Sequence, residues 1–185
     1  MNENQTQSNF KIFDEKLVKK YLNNASLFLL AWEMLKSVVI DNLKNFICMD
    51  WETINGKWVQ IENEDYKKKV LSLDSDRFKA SCLYSIQMEI VTNDDYKEIL
   101  KLRDLRNEIT HELEKFLLED GLHINDKDIL SMKNLIGKID QWWIVNVEAA
   151  TDPNVLALNQ DKIDWDNVTS VRMIVLKYLL SSYMH

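Results

Sequence analysis

Side chains suited to chemistry are concentrated in the stretch RDLRNEITH at residues 103–111, which holds Arg103, Arg106, Asn107, Thr110 and His111. Histidine titrates near neutral pH, so it can remove or return a proton. Arginine carries a permanent charge on a planar fork whose N–H groups fit phosphate oxygens. An asparagine amide can orient either group through hydrogen bonds. These residue types together are suited to chemistry on a phosphodiester.

One long helix is predicted to position these side chains. Its N-cap is expected between Thr92 and Asp95, it runs to about Leu118, and Gly121 is the predicted stop. At about 100° per residue, one face of this helix is apolar and a second face is charged and solvated. A third face is neither, and its members are Tyr96, Ile99, Leu100, Arg103, Arg106, Asn107, Thr110 and His111.

The third face predicts a contact between subunits. Tyrosine and arginine without lysine are typical of interface centres. The expected interface residues are Tyr96, Ile99, Leu100 and Arg103. The alternative is a polar groove against a neighbouring helix of the same chain, in which carboxylates satisfy the arginines and the histidine.

The rest of the chain predicts an all-α fold, an up-and-down bundle of four to five helices. With Gly 3 and Pro 1, the chain has too few turn residues for a β-sandwich or an α/β fold. Asn55-Gly56 predicts a small hairpin or ordered loop near residues 50–62. Residues 1–10 are expected to be a disordered tail and residues 11–185 a single domain. The other helices are predicted near residues 14–48, 66–73, 77–91, 126–150 and 164–184.

Charge and composition exclude several functional classes. The net charge of −7 argues against non-specific electrostatic binding of nucleic acid. DNA is therefore not an expected partner, and any contact with RNA must be local. The apolar run at residues 25–32 is too short to span a bilayer, and the N-terminus does not resemble a signal peptide. Cys48 and Cys82 are expected to be buried thiols in a reducing compartment. These features predict a cytoplasmic protein.

The segment LRDLRNEITHEL resembles the motif helix of HEPN domains, which are small all-α bundles. The family motif is arginine, a polar residue, a few further residues and then histidine, matched here by Arg106, Asn107 and His111. The resemblance is close over the motif helix and extends to residues 14–150 only in the order of helices.

The resemblance implies a homodimer in which two copies of the motif face each other across a two-fold axis. It also implies a metal-independent endoribonuclease, with no cofactor, of a toxin or phage-defence type. His111 would be the base that removes the 2′-hydroxyl proton, Arg106 the donor to the phosphorane oxygens and Asn107 an orienting group. Arg103 and Thr110 would contact the substrate, and the products would be a 2′,3′-cyclic phosphate and a 5′-hydroxyl.

The resemblance leaves the partner and the activity open. An antitoxin or a nucleotidyltransferase is a possible partner, but Leu113 stands where one toxin branch has a tyrosine that its antitoxin modifies. Glu108, Glu112 and Glu114 make the surroundings of His111 acidic. The alternative to a ribonuclease is therefore a catalytically silent HEPN-like module for binding or dimerisation.

Other motifs are incomplete. HELEK at 111–115 lacks the second histidine of a zinc-protease helix, and a di-iron bundle needs two Glu-x-x-His copies where this chain has one. No metal site is therefore predicted. Trp142 and Trp143 are adjacent and cannot share one helix face, so one is expected in the core and the other half-exposed.

Overall fold

A computed structural model describes residues 15–111, 124–158 and 163–183 of the chain, and the predicted tail at residues 1–10 lies outside this part. Helix α1 extends over Glu15–Ile47. Its apolar residues recur at three- and four-residue steps, and they form a continuous buried stripe because this spacing matches the helical period. The buried members of that stripe include Phe28, Ala31, Trp32, Leu35, Val38, Val39 and Leu43.

A two-stranded hairpin follows α1, as predicted. Strands β1 (Trp51–Ile54) and β2 (Lys57–Gln60) are antiparallel, with Thr53 opposite Trp58. The connecting residues Asn55 and Gly56 have φ values of 51° and 75°. Asparagine and glycine tolerate this left-handed conformation, which a tight two-residue hairpin turn requires at both positions.

Helix α2 (Glu64–Tyr66) continues as a π-helical turn at Lys67–Leu71, where the sequence predicts a short basic helix. Helix α3 (Arg77–Gln87) begins at the predicted residue, because the Asp76 carboxylate accepts hydrogen bonds from the backbone N–H groups of Phe78 and Lys79. These bonds satisfy donors that the first turn of any helix leaves free.

Helix α3 ends earlier than the predicted Val91. Glu89 takes a positive φ of 57°, its N–H donates to the Ile86 carbonyl, and the N–H of Ile90 donates to the Ser85 carbonyl. This is the Schellman arrangement, which terminates a helix even where the left-handed residue is not glycine. The sequence did not reveal this end because the position carries glutamate.

Helix α4 (Asn93–His111) carries the motif, and helix α5 (Asp126–Trp143) starts at the predicted residue, with Asn125 as its cap. A π-helical turn, Ile144–Glu148, and helix α6 (Ala149–Thr151) extend α5 to the predicted end. Beyond α6, helix α7 (Pro153–Leu156) is capped by Asp152, and Trp165–Asn167 form a 3-10 turn. Helix α8 (Val171–Tyr183) begins later than the predicted residue 164, because Val168 has an extended backbone conformation directly after that turn.

Helix α1 is the centre of the described structure, because α3, α4, α5 and α8 all pack against it. The core contains side chains from all five of these helices. The prediction of a mostly helical fold with one small hairpin is therefore confirmed. None of the helices within the described ranges combines the length and the hydropathy needed to cross a membrane.

Candidate functional site

A capping box fixes the start of α4. The N–H of Asp95 donates to Thr92 Oγ1 at 3.1 Å, and the N–H of Thr92 donates back to the Asp95 carboxylate at 2.7 Å. Partial burial alone would raise the pKa of Asp95, but hydrogen bonds from Lys138 on α5 and from Thr92 lower it. With this start fixed, the helical period directs Ile99, Leu102 and Ile109 into the core.

Arg103 is engaged by helix α3. Its guanidinium donates to the carboxylate of Asp76, the residue that caps α3, and its Cζ lies 6.0 Å from the centre of the Phe78 ring. A cation at that distance over an aromatic face is attracted to it. Partial burial alone would raise the pKa of Asp76, but the hydrogen bonds from Arg103 and from backbone N–H groups lower it. Arg103 therefore joins α4 to α3.

Arg106 points to the other side, toward α1. Its Nη1 donates to the Asn107 side-chain oxygen at 3.3 Å, and its Nη2 lies 3.6 Å from Glu33 Oε1. Its Nε is buried and has no hydrogen-bond acceptor among the described residues. Glu33 is also bound by Lys36, whose Nζ donates to Oε2 at 3.2 Å. The guanidinium is thus held between α1 and α4 with part of its donor capacity unused.

Thr110 and His111 are the last two described residues of α4, and both are exposed, whereas the predicted helix end near Leu118 and the stop at Gly121 lie outside the described residues. The Thr110 hydroxyl donates to the Arg106 carbonyl at 2.8 Å, a bond within the helix that leaves its oxygen lone pairs facing solvent. His111 is the last described residue of α4, and its imidazole is accessible to a ligand. Within one chain, Arg106 and His111 project in directions about 140° apart, because they are separated by five helical steps.

Ile99 is not an interface residue. It is 0% exposed and belongs to the core of its own chain, so it has no surface to offer a second copy. The helical phase explains the error, because Ile99 lies at the border of the predicted core face and the predicted third face. Tyr96 packs partly buried against the core, and Leu100 and Arg103 are also partly buried.

Glu33 and Lys36 are the two site residues that the sequence did not reveal. Both lie on α1, where they read as ordinary exposed charges three residues apart. Only the packing of α1 against α4 brings Glu33 to Arg106, and Lys36 is linked to Arg106 through Glu33. No local pattern marks such a contact. Of the acidic residues expected near His111, Glu108 is exposed, while Glu112, Glu114 and also Leu113 lie outside the described residues.

The remaining chemical candidates are structural. Cys48 and Cys82 are buried free thiols as predicted, and burial raises the pKa of Cys82 to about 12, which removes it as a nucleophile. Trp143 is buried and Trp142 is partly buried, also as predicted. Across the three described ranges, no group of three histidine, cysteine or acidic residues is arranged to hold a metal ion.

A small open cavity lies between α4 and α5. Asp94, Asp95, Glu98 and Lys138 contribute to its lining. Glu98 accepts a hydrogen bond from Ser131, and Asp95 is bound by Lys138. These bonds hold α4 against α5, so the cavity is a feature of helix packing.

Comparison with known proteins adds no relative to this picture. No protein-family model, no curated protein and no solved structure matches the chain.

Proposed function

We propose that this chain is a metal-independent, HEPN-like endoribonuclease that acts as a homodimer, of the toxin or phage-defence type. The observation that carries the proposal is the accessible His111 at the end of the same helix that holds Arg106 and Asn107 side by side. An exposed base and a positioned guanidinium are the two groups that cleavage of RNA by its own 2′-hydroxyl requires.

The chemistry assigns one role to each residue. His111 removes the proton of the 2′-hydroxyl, and the 2′-oxygen forms a bond to phosphorus. Arg106 donates to the phosphorane oxygens as negative charge accumulates on them. The P–O5′ bond then breaks, and the leaving oxygen takes a proton from solvent. The products are a 2′,3′-cyclic phosphate and a 5′-hydroxyl, and no redox step is involved.

The directions of Arg106 and His111 on the helix favour a site that is shared between two copies of the chain. Because Arg106 and His111 diverge by about 140° along one helix, a single phosphate is served better by an arginine and a histidine from two facing helices. In an isologous contact, Arg106 of each copy faces the region of the other copy that contains His111. Tyr96, Leu100 and the exposed end of α4 are the surfaces assigned to this contact.

Cleavage of a labelled RNA pool in EDTA tests the proposal. The wild type is expected to cleave and leave 2′,3′-cyclic ends, while His111→Ala loses at least about a hundredfold in rate, as expected for removal of a general base. Lys97→Ala is the matched control, since Lys97 is an exposed residue of the same helix paired with Asp94. An inactive wild type that is a folded dimer, or a His111→Ala variant as active as the control, would overturn it.

A catalytically silent binding or dimerisation module is the second candidate. It is favoured by the engagement of both arginines with carboxylates of their own chain, Asp76 and Glu33. In that case the dimer forms and RNA is not cleaved. Sedimentation of the wild type beside the cleavage assay separates the two candidates.

A further inference from the structure

Two basic side chains meet at one carboxylate where α1 packs against α4. Glu33 Oε2 accepts a hydrogen bond from Lys36 Nζ at 3.2 Å, and Glu33 Oε1 lies 3.6 Å from Arg106 Nη2. The carboxylate thus bridges an ammonium group and a guanidinium group. A phosphate presents two oxygens in a similar way, and these two cations are its usual partners in proteins.

The Glu33 carboxylate is held loosely. Its side chain is 53% exposed, and a separation of 3.6 Å is too long for a hydrogen bond. Exposed ion pairs of this kind contribute little to stability. An incoming anion can therefore replace the carboxylate without disturbing the core.

Arg106 is positioned but not saturated. Its side chain is 32% exposed, so the fork has limited freedom, and Asn107 fixes one of its ends. The Nε–H is buried without an acceptor in the described structure, which is an unfavourable state for a donor. A ligand that moves the guanidinium toward solvent could accept a hydrogen bond from this Nε–H. The unfavourable burial of the donor would then be removed, and the ligand would gain a second hydrogen bond.

We propose that the contact of α1 with α4 is an anion site, in which a phosphodiester of single-stranded RNA displaces the Glu33 carboxylate and lies between Lys36 and Arg106. This inference rests on the proposed function. It adds Lys36 as a binding residue and makes Glu33 an internal competitor of the substrate. The competition links RNA affinity directly to the charge at Glu33.

The experiment measures binding without cleavage. A fluorescein-labelled single-stranded RNA with 2′-O-methyl groups at every ribose cannot react, and its anisotropy reports affinity for the wild type and for Glu33→Gln. The matched control is Glu64→Gln, because Glu64 forms the same kind of exposed pair with Lys67, three residues away, and its removal changes the net charge equally. Circular dichroism verifies that each variant is folded.

The expected result is a roughly two- to fivefold lower Kd for Glu33→Gln than for Glu64→Gln, the range of an exposed ion pair. Adding Lys36→Ala to Glu33→Gln should abolish the gain and reduce the slope of log K against log salt by about 0.7, the value for one lost phosphate contact with a single strand. Competition with inorganic phosphate distinguishes a site for any phosphate from one that needs the RNA backbone. Equal affinities for Glu33→Gln and Glu64→Gln, or no binding by any variant, would overturn the inference.

Failure of this inference and failure of the proposed function give different results. A chain that binds the inert RNA more tightly after Glu33→Gln, yet never cleaves an unmodified RNA, retains the anion site and loses the nuclease. A chain that cleaves RNA but responds equally to both glutamine substitutions retains the nuclease and loses the anion site.

Discussion

The two sides of the motif helix use the same residue type in different ways. On the side facing α3, Arg103 is bound to Asp76 and lies over the Phe78 ring. On the side facing α1, Arg106 has, among the described residues, a loose contact with Glu33 and a bond to its neighbour Asn107. On the side facing α3, the carboxylate that binds Arg103 also caps a helix. On the side facing α1, the Nε–H of Arg106 has no acceptor among the described residues. The difference places Arg103 in a contact that joins two helices, and it leaves Arg106 as the arginine of the proposed anion site.

The largest difference between the two sides is expected in the rate of RNA cleavage after each arginine is replaced by lysine. Arg106→Lys keeps the charge but removes the planar fork, so we expect RNA cleavage to slow by about a hundredfold, the usual cost of losing a transition-state donor. Arg103→Lys should change the rate less than about threefold, because Arg103 is engaged with Asp76. Single-turnover cleavage measures both. Equal losses would mean that Arg103 also touches the substrate.

When stability is measured instead of cleavage, the side facing α3 should show the larger effect. Loss of the Asp76 carboxylate should cost more free energy of unfolding than loss of the Glu33 carboxylate. Asp76→Ala removes the cap of α3, which costs about 1–2 kcal/mol, and it also leaves Arg103 without its partner. Glu33→Ala should change the free energy of unfolding by less than about 0.5 kcal/mol, because its pairs are exposed. Urea titration checks both values. A large loss for Glu33→Ala would place that residue among the structural ones.

Acid should weaken the contact between α3 and α4, because protonation of Asp76 weakens its ion pair with Arg103. The pKa of Asp76 is lowered in the folded chain, against the raising effect of partial burial, by Arg103 and by backbone N–H groups. Its stabilisation is therefore complete above the ordinary value of 3.8 and is lost as the pH falls through the lower folded value. The urea midpoint of the wild type should fall in this range. The stability of Asp76→Asn, which cannot titrate there, should fall less, and parallel curves for the two proteins would contradict the assignment.

The smallest effect is expected at Thr110, which lies between the two sides at the exposed end of α4. Its hydroxyl donates to the Arg106 carbonyl, so Thr110→Val removes one exposed hydrogen bond within the helix and one acceptor facing solvent. We expect cleavage to change less than about threefold and the urea midpoint to stay the same. Cleavage rates at several RNA concentrations show whether KM moves, and a clear rise in KM would establish Thr110 as a substrate contact.

Local signals in the sequence predicted much of the fold. The starts of α3 and α5, the Asn55-Gly56 turn and the apolar period of α1 were all found because each depends on residues close together in the chain. The end of α3 was placed too late because a glutamate takes the left-handed position where glycine is the usual marker.

By itself, the sequence determined that the chain is mostly helical, where α3, α4 and α5 begin and that Arg106, Asn107 and His111 share one helix, because these properties follow from period, capping and composition. Only the tertiary structure decided the environment of each residue. Packing put Ile99 in the core, bound Arg103 to Asp76 and brought Glu33 and Lys36 to Arg106. Such contacts join residues far apart in the chain, so they depend on how helices pack and leave no mark in any short stretch of sequence.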